Sequence, residues 1–214
     1  AAIASVLTQM VSLLAVVIYA VLVLPEHRMF RRFWKPDPDM LRQVFHLGLP
    51  IGLTALSEVS LFSASALMMG WLGAVSLAAH GIVVSVAAVT FMVHLGLSNV
   101  ATIRAGNAFG RADRAHLVRG GMAVTILSLG FSVVTIILFL TLPVPIQSLF
   151  MEADNPQRPD ILAIGTGLLA IAALFQLVDG AQAIALGLLR GVQDTRIPMI
   201  VAALSYWVVG IPCS

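Results

Sequence analysis

Six long apolar runs separated by short polar connectors constrain the fold of this chain more than any other feature. They cover approximately residues 2–24, 44–69, 74–103, 121–142, 160–188 and 197–214. A helix needs about 20 residues to cross a bilayer, and each run reaches or nears that length. Charged residues make up 10% of the chain, against about 25% in soluble domains, so lipid must be part of its solvent. The runs lack the alternation of membrane β-barrels, with about ten residues per strand. The sequence therefore predicts an all-α, polytopic transmembrane helical bundle with six spans.

The basic residues are distributed unevenly between the connectors. Eleven of the twelve Lys and Arg residues fall in connectors 25–43, 104–120 and 189–196, and the remaining one, Arg158, falls in 143–159. Connectors enriched in Lys and Arg stay on the cytoplasmic side. We therefore expect the first three connectors to be cytoplasmic in a multi-pass protein of the plasma (inner) membrane. Basic residues placed in this way anchor spans in the lipid bilayer and do not predict nucleic-acid binding.

Two carboxylates, Glu58 and Asp179, lie in the middle of the second and fifth runs. A carboxylate at that depth costs roughly 2.5–3.5 kcal/mol on the mildest scale, so both are candidate functional residues. If the two acids face one hydrated cavity, a proton or another cation can neutralise them, which is the chemical basis of antiport. The alternative is structural, since a protonated membrane carboxyl can hydrogen-bond a neighbouring helix.

Polar and aromatic residues share the helix faces of the two acids. Thr54 precedes the first acid by one turn, Gln176 and Gln182 flank the second at three residues, and Phe175 lies one turn before it. We predict that these four residues contribute to a cation- or substrate-binding site. Hydrogen bonding between helices is an equally good reading of each glutamine.

Histidines give little support for a metal site. His80 and His94 share a helix face but are about 21 Å apart, and neither His-x-x-x-His nor Cys-x-x-Cys occurs. His94 is a candidate proton relay, with a hydrogen-bonded structural role as the alternative. Near the end of the chain, Asp194 and Thr195 predict a cap for the last helix.

Several segments resemble the NorM-like multidrug and toxic compound extrusion (MATE) transporters, in the same order. These segments are Gly48–Phe62 (GLPIGLTALSEVSLF), 79–82 (AHGI), 102–113 (TIRAGNAFGRAD) and 189–195 (LRGVQDT). The resemblance covers most of residues 40–214 and implies part of a twelve-helix, two-lobed protein, roughly from helix six to helix eleven. Residues 1–24 would then be the last helix of the N-terminal lobe, 25–43 the connector between lobes, and 44–214 a C-terminal lobe truncated before its last helix. We accordingly expect a fragment, about half of such a transporter, that is inactive by itself.

The resemblance implies a secondary active multidrug exporter, not an enzyme. Such a protein exchanges cationic and aromatic drugs for Na⁺ or H⁺, and Glu58 and Asp179 match the family's acidic positions in the second lobe. The resemblance implies no cofactor and no metal other than Na⁺ at these acids. Its implied partners are small organic cations and the remainder of its own chain, the N-terminal lobe. Phe175 stands where relatives often have Tyr and Gly81 where many have Gln, which leaves the coupling ion open.

Two other functions use similar features. A related flippase for lipid-linked sugars would need basic residues in its cleft, and no Lys or Arg lies in the middle of a run. An intramembrane aspartyl protease also needs two acids on two helices. Its Tyr-Asp and Gly-x-Gly-Asp motifs are absent, since Asp179 lies in Leu-Val-Asp-Gly.

Overall fold

The chain forms long helices joined by short turns. A computed structural model describes residues 2–23, 37–152 and 154–213. Its first helices are α1 (Ala2–Val23), α2 (Pro38–Trp71), α3 (Ala74–Gly110), α4 (Arg114–Thr141), the short α5 (Pro143–Ser148) and α6 (Arg158–Gly191). The last span consists of α7 (Arg196–Ala203), a π-helical segment (Leu204–Gly210) and α8 (Ile211–Cys213). The described ranges contain no strand.

Six of the described helical stretches are long and apolar enough to cross a membrane. They are Ala4–Val23, Pro38–Trp71, Ala74–Gly110, Arg114–Thr141, Arg158–Gly191 and Arg196–Cys213. This confirms the predicted all-α fold with six spans and makes the chain a multi-pass membrane protein. Large apolar side chains such as Leu22, Leu67 and Val178 are exposed, as expected for surfaces that face lipid.

The helices extend beyond the apolar runs, so the connectors are shorter than the hydropathy pattern predicts. The turn between α3 and α4 contains only residues 111–113, and the turn after α6 only 192–195. Each turn has one residue with a left-handed backbone, Ala112 at φ 54° and Gln193 at φ 65°. Hydropathy detects the part of a helix that lies in lipid, whereas backbone hydrogen bonding continues into the polar residues beyond it.

Part of the predicted 25–43 connector lies outside the described residues. This part is 25–36, and it includes Arg28, Arg31, Arg32 and Lys35. The remainder is mostly helical, because α2 begins at Pro38, where Asp37 Oδ1 accepts a hydrogen bond from the Asp39 N–H at 3.0 Å. The chain divides into two compact units, Ala1–His46 and Leu47–Ser214. The lobe boundaries expected from the sequence stay predictions.

Three helices of the second unit, α3, α4 and α6, pack into its core. One buried cluster consists of Val83, Val86, Phe139, Leu169 and Ala173. A second consists of Ala101, Val124 and Ile184. Every one of the three helices contributes to both clusters, so this trio forms the framework that holds the α6 residues in place.

Small residues and hydroxyl groups let α3 and α6 approach closely. Ser98 Oγ donates to the Ala183 carbonyl at 2.6 Å, and Thr102 Oγ1 donates to the Gly187 carbonyl at 2.9 Å. A Cβ atom added at Gly187 would lie 2.5 Å from the Ser98 carbonyl oxygen. Close backbone contact and interhelical hydrogen bonds of this type are how helices associate where water is absent.

The predicted cap at Asp194 and Thr195 is confirmed in position but not in its hydrogen bonding. Thr195 is the N-cap residue of α7, but its side chain makes no capping hydrogen bond. A side-chain hydrogen bond does cap α4, where Asp113 Oδ1 accepts from the His116 N–H at 2.9 Å. This hydrogen bond lowers the pKa of the Asp113 carboxyl below its ordinary value of 3.8, because it stabilises the ionised form.

Candidate functional site

The two intramembrane acids lie on different helices of the same compact unit, Glu58 on α2 and Asp179 on α6. Asp179 is 8% exposed and Glu58 is half-buried. Their carboxylates are close enough for their charges to interact. The Arg190 guanidinium, in the last turn of α6, also acts electrostatically on Glu58. Among the described residues, Asp179 thus has the Glu58 carboxylate as a charged neighbour, and Glu58 has the Arg190 guanidinium.

The hydroxyl groups next to Glu58 are bound to their own helix. Thr54 is 2% exposed and donates to the Pro50 carbonyl at 2.9 Å. Ser57 is 1% exposed and donates to the Leu53 carbonyl at 2.8 Å. Both hydroxyl protons are therefore engaged, and these groups can offer only oxygen lone pairs to a ligand.

The structure separates the glutamines that flank Asp179. Gln176 is 1% exposed, and its Nε2 donates to Thr90 Oγ1 on α3 at 2.5 Å. Gln182 is half-buried, and its Nε2 donates to the Tyr206 hydroxyl in the last span. The two glutamines lie on one face of α6, but Gln176 binds α3 and Gln182 binds the last span. Gln176 binds within the core, whereas Gln182 connects the helix that bears Asp179 to the end of the chain.

Two aromatic rings meet beside the acids. Phe62 lies one turn after Glu58, and Phe175 lies one turn before Asp179. Their centroids are 6.3 Å apart with an interplanar angle of 86°, an edge-to-face contact between α2 and α6. Phe175 is 41% exposed, so the described helices leave part of its ring uncovered. Phe175 was predicted from the sequence as a site residue and Phe62 was not, although the spacing of four residues between Phe62 and Glu58 was a usable signal.

His94 is located in the core behind Asp179. It is fully buried, with Nδ1 2.8 Å from Ser128 Oγ and Nε2 3.4 Å from Ser132 Oγ, both on α4. The ring also lies against Gly180, where an added Cβ would be 2.7 Å from His94 Cε1. His94 therefore packs on the residue that follows Asp179 in the chain, and serine hydroxyls are the hydrogen-bond partners of its ring.

The last span contacts both acid-bearing helices. Trp207 Nε1 donates to Ser60 Oγ at 2.7 Å, two residues from Glu58. Gly210 packs against Leu61, whose Cδ1 would lie 3.0 Å from a Cβ added at that glycine. Tyr206 reaches α6 through Gln182. These contacts could not be predicted from the sequence, because nothing in the apolar run 197–214 indicates which helices it contacts.

Comparison with known proteins supports the resemblance found in the sequence. Residues 50–214 match the family model MatE. A probable multidrug resistance protein NorM of Rhizobium meliloti (strain 1021) is 44% identical over 186 residues, which cover 87% of this chain and 40% of that protein. A probable multidrug resistance protein NorM of Deinococcus radiodurans is 39% identical over 176 residues, 82% of this chain and 39% of that protein. A multidrug resistance protein NorM of Burkholderia vietnamiensis is 36% identical over 178 residues, 83% and 38% respectively. The chain thus spans about 40% of the length of the curated relatives it matches.

Proposed function

This chain belongs to the MatE family, and on that premise we propose that it forms part of a secondary active multidrug exporter. The observation that carries the proposal is the pair Glu58 and Asp179, two intramembrane carboxylates on separate helices whose charges interact. Family membership argues against the aspartyl protease considered above. Relatives named as multidrug resistance proteins favour drugs over lipid-linked sugars as the transported class.

The acid pair supplies the chemistry of exchange. Two like charges close together in a medium of low dielectric repel each other strongly, and a cation or a proton relieves that repulsion. A cationic drug and a coupling ion, Na⁺ or H⁺, therefore compete for the same carboxylates. The edge-to-face pair Phe62 and Phe175 offers aromatic surface beside the charges, which suits planar organic cations. Competition for one site makes export of the drug depend on entry of the ion.

The transport cycle we propose alternates the exposure of this site. The drug binds from the cytoplasm or the inner leaflet while the acids are free of the ion. Once the site opens outward, the ion binds Glu58 and Asp179 and displaces the drug, and the ion-loaded protein returns inward. The N-terminal lobe would provide the other wall of the cleft. The basic connectors would face the cytoplasm in the plasma membrane, in keeping with the distribution of Lys and Arg.

Substitution Glu58→Gln in the complete protein tests the proposal. It removes one negative charge and keeps the side-chain size, so we expect gradient-driven ethidium efflux from intact cells to fall at least about tenfold with unchanged expression. Glu152→Gln is the matched control, since it makes the same change at an exposed residue outside the described helices. Normal efflux by the Glu58→Gln variant would contradict the proposed role of the acid pair.

A further inference from the structure

Tyr206 lies on a widened turn of the last span. The segment Leu204–Gly210 is π-helical, and the Ile211 N–H donates to the Tyr206 carbonyl five residues earlier. Pro212 gives a physical reason, because a proline within a helix has no N–H to donate and clashes with the carbonyl four residues before it. Single π-helical turns occur frequently at functional sites, since they redirect a side chain that an α-helix would place elsewhere.

Contacts on both sides hold this turn between the acid-bearing helices. Toward α6, the Tyr206 hydroxyl accepts a hydrogen bond from Gln182 Nε2, three residues after Asp179. Toward α2, the next residue, Trp207, donates to Ser60 at 2.7 Å, two residues after Glu58. The same segment packs its Gly210 against Leu61. Tyr206 thus contacts the helix of Asp179 directly, and its neighbour Trp207 contacts the helix of Glu58, each within one turn of the acidic residue.

The electrostatic environment of Tyr206 agrees with these contacts. The charges of Glu58 and Asp179 both act on its hydroxyl, and the side chain is half-buried. The hydroxyl accepts one hydrogen bond from Gln182, which leaves its own proton and one oxygen lone pair available. Such a hydroxyl can offer a lone pair to a cation and donate its proton to a carboxylate at the same time.

We propose that Tyr206 is a binding residue of the cation site, whose neutral hydroxyl oxygen coordinates Na⁺ together with the carboxylates of Glu58 and Asp179. Hard cations are bound by several oxygen ligands at once, whereas a proton needs only one. Neutral oxygen from a third helix therefore suits Na⁺ better than H⁺. The proposal rests on the proposed function: it adds one ligand and chooses Na⁺ from the two coupling ions named there.

The test compares the complete protein with its Tyr206→Phe variant, which removes only the hydroxyl oxygen. In proteoliposomes with ethidium as the drug, the Na⁺ concentration for half-maximal efflux should rise about tenfold, the effect of one lost ligand. The maximal rate at saturating Na⁺ should stay within about twofold of the parent. Tyr19→Phe is the matched control, because Tyr19 is 64% exposed on α1, and it should leave the Na⁺ requirement unchanged.

A binding measurement without transport gives a second result. NaCl should raise the melting temperature of the purified complete protein above its value in choline chloride, and Tyr206→Phe should need about tenfold more NaCl for the same shift. An unchanged Na⁺ requirement in Tyr206→Phe, or a loss of maximal rate alone, would overturn the inference. So would efflux by the parent that does not depend on Na⁺, although the proposed export would stand. Failure of the proposed function is a different result, namely undiminished efflux by Glu58→Gln.

Discussion

At the residue scale, the buried His94 side chain holds α6 in place next to Asp179. The His94 ring lies against Gly180 and occupies the space that any larger side chain at this position would need. Ser128 and Ser132 then hold the ring from the opposite helix. This arrangement fixes α6 at the residue next to Asp179. The sequence shows both Asp179 and His94 as polar residues in apolar runs. It contains no signal that His94 packs against Gly180, the residue that follows Asp179.

Gly180→Ala tests this packing. A Cβ at this position would be 2.7 Å from His94 Cε1 and 2.8 Å from Nδ1, so the imidazole must move. We expect a loss of about 1–3 kcal/mol in stability, typical of overpacking, measured by thermal unfolding of the complete protein in detergent. Gly167→Ala on the same helix is the control, since nothing lies within 4 Å of its added Cβ. Equal melting temperatures for the two variants would show that the histidine does not confine α6.

At the element scale, the helices begin and end where local hydrogen bonds allow, not where hydropathy changes. Three residues separate the end of α3 from the start of α4, and Asp113 accepts a hydrogen bond from the first turn of α4. Thr195 occupies the equivalent position before α7 without forming such a bond. Both positions carry residues typical of helix caps. The residue type therefore indicates two candidate caps, while the backbone geometry of each turn decided which side chain accepts a capping hydrogen bond.

Asp113→Ala tests the cap of α4. We expect the melting temperature of the complete protein to fall by about 2 °C at pH 7, because the His116 N–H loses its partner. Since the folded-state pKa of Asp113 is lowered, the stabilisation is present above its ordinary value of 3.8 and disappears as the pH falls through the lowered value. The difference between parent and variant should therefore shrink in acid. Thr195→Val is the control, as no capping bond is lost there.

At the scale of the whole molecule, the six spans and their basic connectors lead to one orientation. The proposed cytoplasmic side carries the α3–α4 turn and the end of α6, and the opposite side carries the segment after α5. The chain's membership of the MatE family covers residues 50–214, which include five of the spans wholly or largely. The distribution of Lys and Arg is the observation behind this orientation, which places connectors 104–120 and 189–196 in the cytoplasm.

Cysteine labelling tests the orientation. In a Cys213→Ser background, Asn107→Cys near the end of α3 should react with a membrane-impermeant maleimide only in inside-out vesicles. Glu152→Cys, after α5, should react only in right-side-out cells or vesicles. Both residues are exposed, so access to the reagent depends on the side of the membrane. Labelling in the reverse pattern would contradict the proposed membrane orientation, in which residue 107 faces the cytoplasm.

The sequence alone was enough to predict the family from its motifs. It was also enough to predict the all-α class of the fold, the six spans, and the positions of Glu58 and Asp179 within apolar runs. These follow from local properties, because the hydropathy of about 20 successive residues decides whether a helix enters lipid, and a charge in that window stands out against its neighbours. Only the tertiary structure decided which polar groups meet. It directs Gln176 to Thr90 and Gln182 to Tyr206, and it brings a π-helical turn against α2. Such pairings depend on contacts between residues far apart in the chain, and the periodicity of a single helix cannot encode them.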